Sequence, residues 1–288
     1  VVGVLCSKII LAESSLFNFV LQQSFDYRNV PYYLVLGVMA GFISLYYARL
    51  FKGTEKRMLG WKMNGYMKTV AGGSILALIY FVFPPLFGEG YNSVKMVANG
   101  SLVTFADNTT LFSVLNQNWG LIVFSGLIVI LKPIAAGITI GSGGNGGNFA
   151  PSLFAGSYLG FFFSKLLNST PWIKIPEGNF SLVGMAGVLS GVMYCPLTAI
   201  FLIAEITNGY ELFIPLMIVS SLSFFIVKSY EPYSMDIKKL ALEGQVFTHK
   251  KEKNILTSIR LEDMLHDKYE SIGIDKKLLD LVEIVKRS

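Results

Sequence analysis

Seven apolar stretches run through the first 227 residues, at 1–11, 32–51, 65–87, 119–140, 149–167, 180–204 and 212–227. A helix needs about 20 residues to cross a 30 Å hydrocarbon core. Several of the stretches reach that length, whereas 1–11 and 212–227 fall short. The charge needed to hold such a chain in water is missing. Of its 43 charged side chains only 22 lie in the first 235 residues, and the other 21 crowd into the last 53. Water-facing domains carry about 25% charged residues. With 52% hydrophobic residues, mean hydropathy +0.53 and two cysteines, the chain is neither disordered nor a disulfide-built secreted domain. The pattern predicts an all-α polytopic membrane protein over residues 1–235, a charged linker over 236–254, and the opening of a soluble α/β domain over 255–288. Those last 34 residues are too few to bury a core alone.

The net charge of +5 does not predict a nucleic-acid partner. Arg49, Lys52, Lys56, Arg57, Lys62 and Lys68 gather between two apolar stretches, which is the positive-inside pattern of a cytoplasmic connection. The lipid bilayer is the expected surrounding. Cys6 and Cys195 read as reduced, packed thiols. His249 and His266 lie in the charged tail without metal-ligand spacing, so neither an enzyme nor a metal site is expected. The chain opens inside an apolar run with no charged leader, and sequence upstream is expected. Residues 88–118, polar and poor in aromatics, read as an external stretch holding a short helix. The glycine pairs Gly37/Gly41, Gly156/Gly160 and Gly187/Gly191, each four apart, read as close helix contacts.

Residues 141–151, Gly-Ser-Gly-Gly-Asn-Gly-Gly-Asn-Phe-Ala-Pro, carry the most chemistry. They match G-x-G-x-x-G formally, but no strand precedes them and Lys165 stands where a ribose-binding acid is needed. No Gly-Lys-Ser/Thr follows, which excludes a Walker A loop. In a membrane, the glycines permit a tight turn and Pro151 suits the first turn of a helix. That helix would present the N–H groups of Asn148, Phe149 and Ala150, with its positive dipole end, to a dehydrated anion. A glycine hairpin that only joins two spans is the competing reading.

Gly147-Asn-Phe-Ala-Pro151 resembles the G-x-F-x-P motif of the CLC family of chloride channels and chloride/proton antiporters. Gly184-Met-Ala-Gly-Val-Leu-Ser-Gly, followed by Cys195-Pro-Leu-Thr-Ala-Ile, is similar to the family's GMGA and APLT helix. Glu205-Ile-Thr-Asn-Gly-Tyr-Glu-Leu-Phe-Ile-Pro215 is similar to its EMT block, and Lys132 sits where members can carry a basic residue. Residues 255–288 resemble the opening of a CBS domain.

The resemblance implies the second half of an inverted-repeat fold with tilted and broken helices. The motifs G-S-G-I-P and G-R-E-G-P then belong upstream, and this segment alone is not expected to transport. The resemblance also implies a homodimer, a bacterial inner-membrane location with a cytoplasmic tail, and no cofactor beyond a possible nucleotide at the complete CBS domain. Chloride/proton antiport is the implied activity. A passive voltage- or proton-gated channel, a fluoride-selective member and a non-transporting scaffold with a CBS sensor are the alternatives. Glu13 stands where antiporters of the family carry a proton-relay glutamate. Two alignments compete for the site tyrosine: Pro232-Tyr233-Ser234 makes it Tyr233, and ungapped counting puts Asp236 there.

Overall fold

The computed structural model describes residues 24–99, 117–207 and 210–242, and isolated positions between 275 and 282. Glu13, the first apolar stretch and nearly all of 255–288 lie outside the described residues. The chain divides into two compact units, Val1–Asp236 and Ile237–Ser288. Among the described residues every regular element is helical.

Helix α1 (Val30–Leu59) follows a short turn in which the Asp26 carboxylate accepts the Arg28 N–H, and Pro31 lies in its first turn. Its 30 residues extend about 45 Å, longer than a hydrocarbon core is thick. Helix α2 (Gly65–Val82) stops where Pro84 and Pro85 force a short 3-10 turn. The only α2 residue buried is Gly72. Helix α3 (Tyr91–Ala98) is a short helix within 88–118. Helices α4 (Gln117–Gly141), α5 (Phe149–Asn168), α6 (Glu177–Met193), α7 (Pro196–Ile206) and α8 (Phe213–Tyr230) are the other described helices of the first unit. A five-residue helix, α9 (Lys238–Leu242), belongs to the second. Among the described residues, four helical segments, Tyr27–Leu59, Gly65–Val82, Trp119–Gly141 and Phe213–Tyr230, are long and apolar enough to cross a membrane.

Helix α6 is the centre of the first unit. Every residue from Gly178 to Val192 is buried, because α5, α8 and α1 all pack against it. A helix covered on all sides needs no polar face, which is why its sequence shows no amphipathic period. Glycines set the spacing. A Cβ on Gly156 would meet the carbonyl oxygen of Gly184, and one on Gly160 would meet that of Phe180. Between these contacts the hydroxyls of Ser157 and Ser181 hydrogen-bond at 2.7 Å. On the other flank, Gly187 lies against Ala40 of α1 and Val219 of α8, and Gly191 lies against the hydroxyls of Ser44 and Ser223. The Ser190 hydroxyl donates to the Ser220 carbonyl at 2.8 Å. Small residues with bonded hydroxyls are how helices approach closely where lipid removes the hydrophobic drive.

The apolar run 180–204 is not one span. It breaks at Tyr194, which takes φ +58°, and Pro196 then opens α7. The Tyr194 hydroxyl donates to the Glu231 carbonyl at 2.5 Å, and its ring meets Phe224 edge-on. The break is therefore tied to the end of α8. Helix α4 carries Pro133 inside its length, a kink position the apolar pattern did not mark.

Candidate anion-binding site

The site grows from the end of α4. The chain curls back on the helix: Gly143 N–H donates to Ile140 O at 3.1 Å and Gly144 N–H to Thr139 O at 2.9 Å. Gly143 takes φ +96°, open at little cost only to glycine. Helix α2 props this loop. The Thr69 hydroxyl donates to Ser142 O at 2.9 Å, and Gly72 lies directly against the Ser142 side chain. Residues 143–147 are exposed, and α5 starts at Phe149.

The first intrahelical bond there runs from Ser152 N–H to Asn148 O, at 3.0 Å. The N–H groups of Asn148, Phe149 and Ala150 have no partner among the described residues, and Pro151 has none to offer. Asparagine ahead of a helix commonly bonds the second or third N–H itself. Asn148 does not. Its Oδ1 is buried and without a partner, so the amides remain available to a group arriving from outside the helix. Unpaired donors at the positive end of a helix dipole form an anion site.

A cavity of about 460 Å³ borders this terminus, lined by Phe149, Ala150 and Pro151 on one side and by Tyr80, Lys132 and Thr139 on the other. Lys132 is 2% exposed. Its Nζ donates to Leu86 O at 3.2 Å and Gly88 O at 3.0 Å, and stands 4.2 Å from the centroid of the Phe154 ring. The buried cation is thus held by carbonyl dipoles and a ring face. Its charge acts on a cavity that Glu89 also lines and partly offsets, while its protons are spoken for.

The other expected residues lie elsewhere. Tyr233 is half-buried in the stretch after α8, Asp236 is exposed at the end of the first unit, and neither lines this cavity. Glu13 lies outside the described residues. The carbonyls of Leu86 and Gly88 were not foreseen. Their signal was the pair Pro84-Pro85 closing an apolar run, together with a lysine inside another.

The sequence profile described as "Voltage gated chloride channel" matches residues 1–228. Among solved structures, the chain is similar to a CLC-type fluoride/proton antiporter, with TM-score 0.58 and 20% identity, over 78% of this chain and 50% of that one. It is similar also to a slow cyanobacterial Cl⁻/H⁺ antiporter, with TM-score 0.59 and 21% identity, over 82% of this chain and 52% of that one. The chain spans about half the length of the solved structures it matches. The profile match over most of its length, with a fold shared with both structures, places the chain in one family: it belongs to the CLC voltage-gated chloride channel family.

Proposed function

We propose that the protein moves chloride across a membrane in exchange for protons. The carrying observation is the N-terminus of α5, with three unpaired N–H groups beside a cavity. In this reading Asn148, Phe149 and Ala150 hold a dehydrated chloride by backbone donors, and Tyr233, which lies outside the cavity beside them, is the hydroxyl donor carried over from the family resemblance. The half-buried position of Tyr233, against the exposed carboxylate of Asp236, supports that choice. A carboxylate beside a bound anion would also repel it. Glu13 passes protons from the cytoplasmic side. Exchange is preferred over a passive channel because both similar solved proteins are named as proton antiporters.

Arg49, Lys52, Lys56 and Arg57 put the α1–α2 connection on the cytoplasmic side, with the tail there too. The working unit is a homodimer in a bacterial inner membrane, and residues 255–288 open a CBS domain that senses nucleotide when complete.

Bromide soaked into crystals of the full-length protein tests the site. Anomalous density within hydrogen-bond reach of the Asn148 and Phe149 amides is expected. An empty α5 terminus, with bromide bound elsewhere in the pathway, refutes it. Flux from proteoliposomes identifies the cargo: release of fluoride without chloride would reassign the site to the smaller anion.

A further inference from the structure

A second cavity, of about 490 Å³, lies along one face of α1 and is closed at its side by Tyr230 from the end of α8. Its wall changes character along the helix. Phe42 and Leu45 form the apolar end, and Arg49, Gly53 and Arg57 follow at four-residue steps on the same face. Arg49 and Arg57 stand about 12 Å apart along the axis. The groove therefore runs from an apolar to a basic stretch of α1, the change of character expected where a helix leaves hydrocarbon for water. The Tyr230 ring lies 6.2 Å from that of Phe42, and tyrosine is typical of that depth.

The floor of the groove is open: a Cβ added at Gly53 meets nothing within 4 Å. The two arginines differ in state. Arg49 gives Nε and Nη2 to Glu231 Oε1 at 3.3 and 3.1 Å, which fixes its plane and balances its charge. Arg57 has no partner among the described residues and keeps its full charge at the groove's polar end.

We propose that this groove binds an anionic glycerophospholipid, with the phosphate on Arg57 and the remaining Arg49 donor, and the upper acyl chain along Phe42 and Leu45. A phosphodiester with one apolar chain matches both ends of the groove, and basic pockets between spans at the membrane face take such headgroups. A small soluble anion would satisfy only the arginine end. A zwitterionic lipid would set its own cation beside Arg57.

The test is native mass spectrometry of the full-length protein with phosphatidylglycerol or phosphatidylcholine of identical chains. Phosphatidylglycerol should be retained at least about fivefold more strongly. Arg57→Gln should remove about that preference, and Gly53→Leu, which fills the floor without altering charge, should reduce retention of phosphatidylglycerol by a similar factor. Glycerol 3-phosphate should not compete. Equal retention of the two lipids overturns the proposal, as does undiminished phosphatidylglycerol binding in both variants. Full competition by glycerol 3-phosphate overturns it in favour of a soluble-anion site.

Discussion

A methyl group added at Gly156 tests how the core of the first unit is held together. The new Cβ would collide with the Gly184 carbonyl and stand 2.7 Å from the Met185 Cα. Carbon atoms rest at about 3.5–4.0 Å, so α5 and α6 must part by about 1 Å. A gap of that size forfeits about a quarter to a half of each dispersion contact along the seam, and overpacking of this kind costs about 1–3 kcal/mol. The Ser157–Ser181 hydrogen bond, 2.7 Å long and next to the contact, is pulled beyond bonding range for about 1 kcal/mol more. The total is roughly 2–4 kcal/mol. At about 2–4 °C per kcal/mol, Gly156→Ala should lower the melting temperature by roughly 4–16 °C. Gly73→Ala is the control. Nothing lies within 4 Å of a Cβ there, and alanine's better helix propensity should hold or raise stability. Fluorescence-detected size exclusion of the heated full-length protein in detergent measures both. A Gly156→Ala protein melting within about 1 °C of wild type would refute the close seam.

Substitutions at four other positions bear on the site. Tyr233→Phe should weaken chloride binding by about tenfold, the loss of one hydrogen bond to a charge, while Asp236→Asn leaves it unchanged; calorimetric titration reads both, and the opposite pattern selects Asp236. Lys132→Met leaves the Leu86 and Gly88 carbonyls without their donor and should cost about 1–3 kcal/mol of stability, measured as a fall in melting temperature that Lys132→Arg partly avoids. Glu13→Gln keeps shape but cannot titrate, so proton movement in proteoliposomes should stop while chloride flux persists; unchanged proton movement removes Glu13 from the relay.

The membrane character of the first unit was legible because charge is scarce and apolar length is a direct requirement of the bilayer. The start of α5 was legible for a local reason: glycines, then Asn148, then Pro151 within the first turn, is a sequence that can hardly do anything but turn and begin a helix. The glycine pairs also read true, since Gly156/Gly160 and Gly187/Gly191 face neighbouring helices at contact distance. The break at Tyr194 did not read. Tyrosine rarely takes positive φ, and what holds it there is a hydrogen bond to Glu231, 37 positions away. The company of Lys132 was equally hidden, because its partners are backbone carbonyls more than 40 positions back. Side-chain patterns record which faces are buried; they leave no trace of a carbonyl's aim.

That hidden arrangement bears directly on how a transport site can work. An anion stripped of water needs compensation, yet a bare ammonium at contact distance in a low-dielectric setting would hold it too tightly to leave. Lys132 avoids that outcome. Two carbonyl oxygens and the Phe154 ring occupy its ammonium, and the Glu89 carboxylate lining the same cavity offsets part of its charge, so it offers no free ion pair. The amides of Asn148, Phe149 and Ala150 carry only partial charges, already oriented by α5 and left uncapped by the Asn148 side chain. Binding through such dipoles needs no counter-charge to be desolvated along with the anion, which is the costly step in burying an ion pair. In the proposed site, therefore, the division of labour is physical: the lysine attracts, the helix end receives, and neither grips hard enough to stop the anion from moving on.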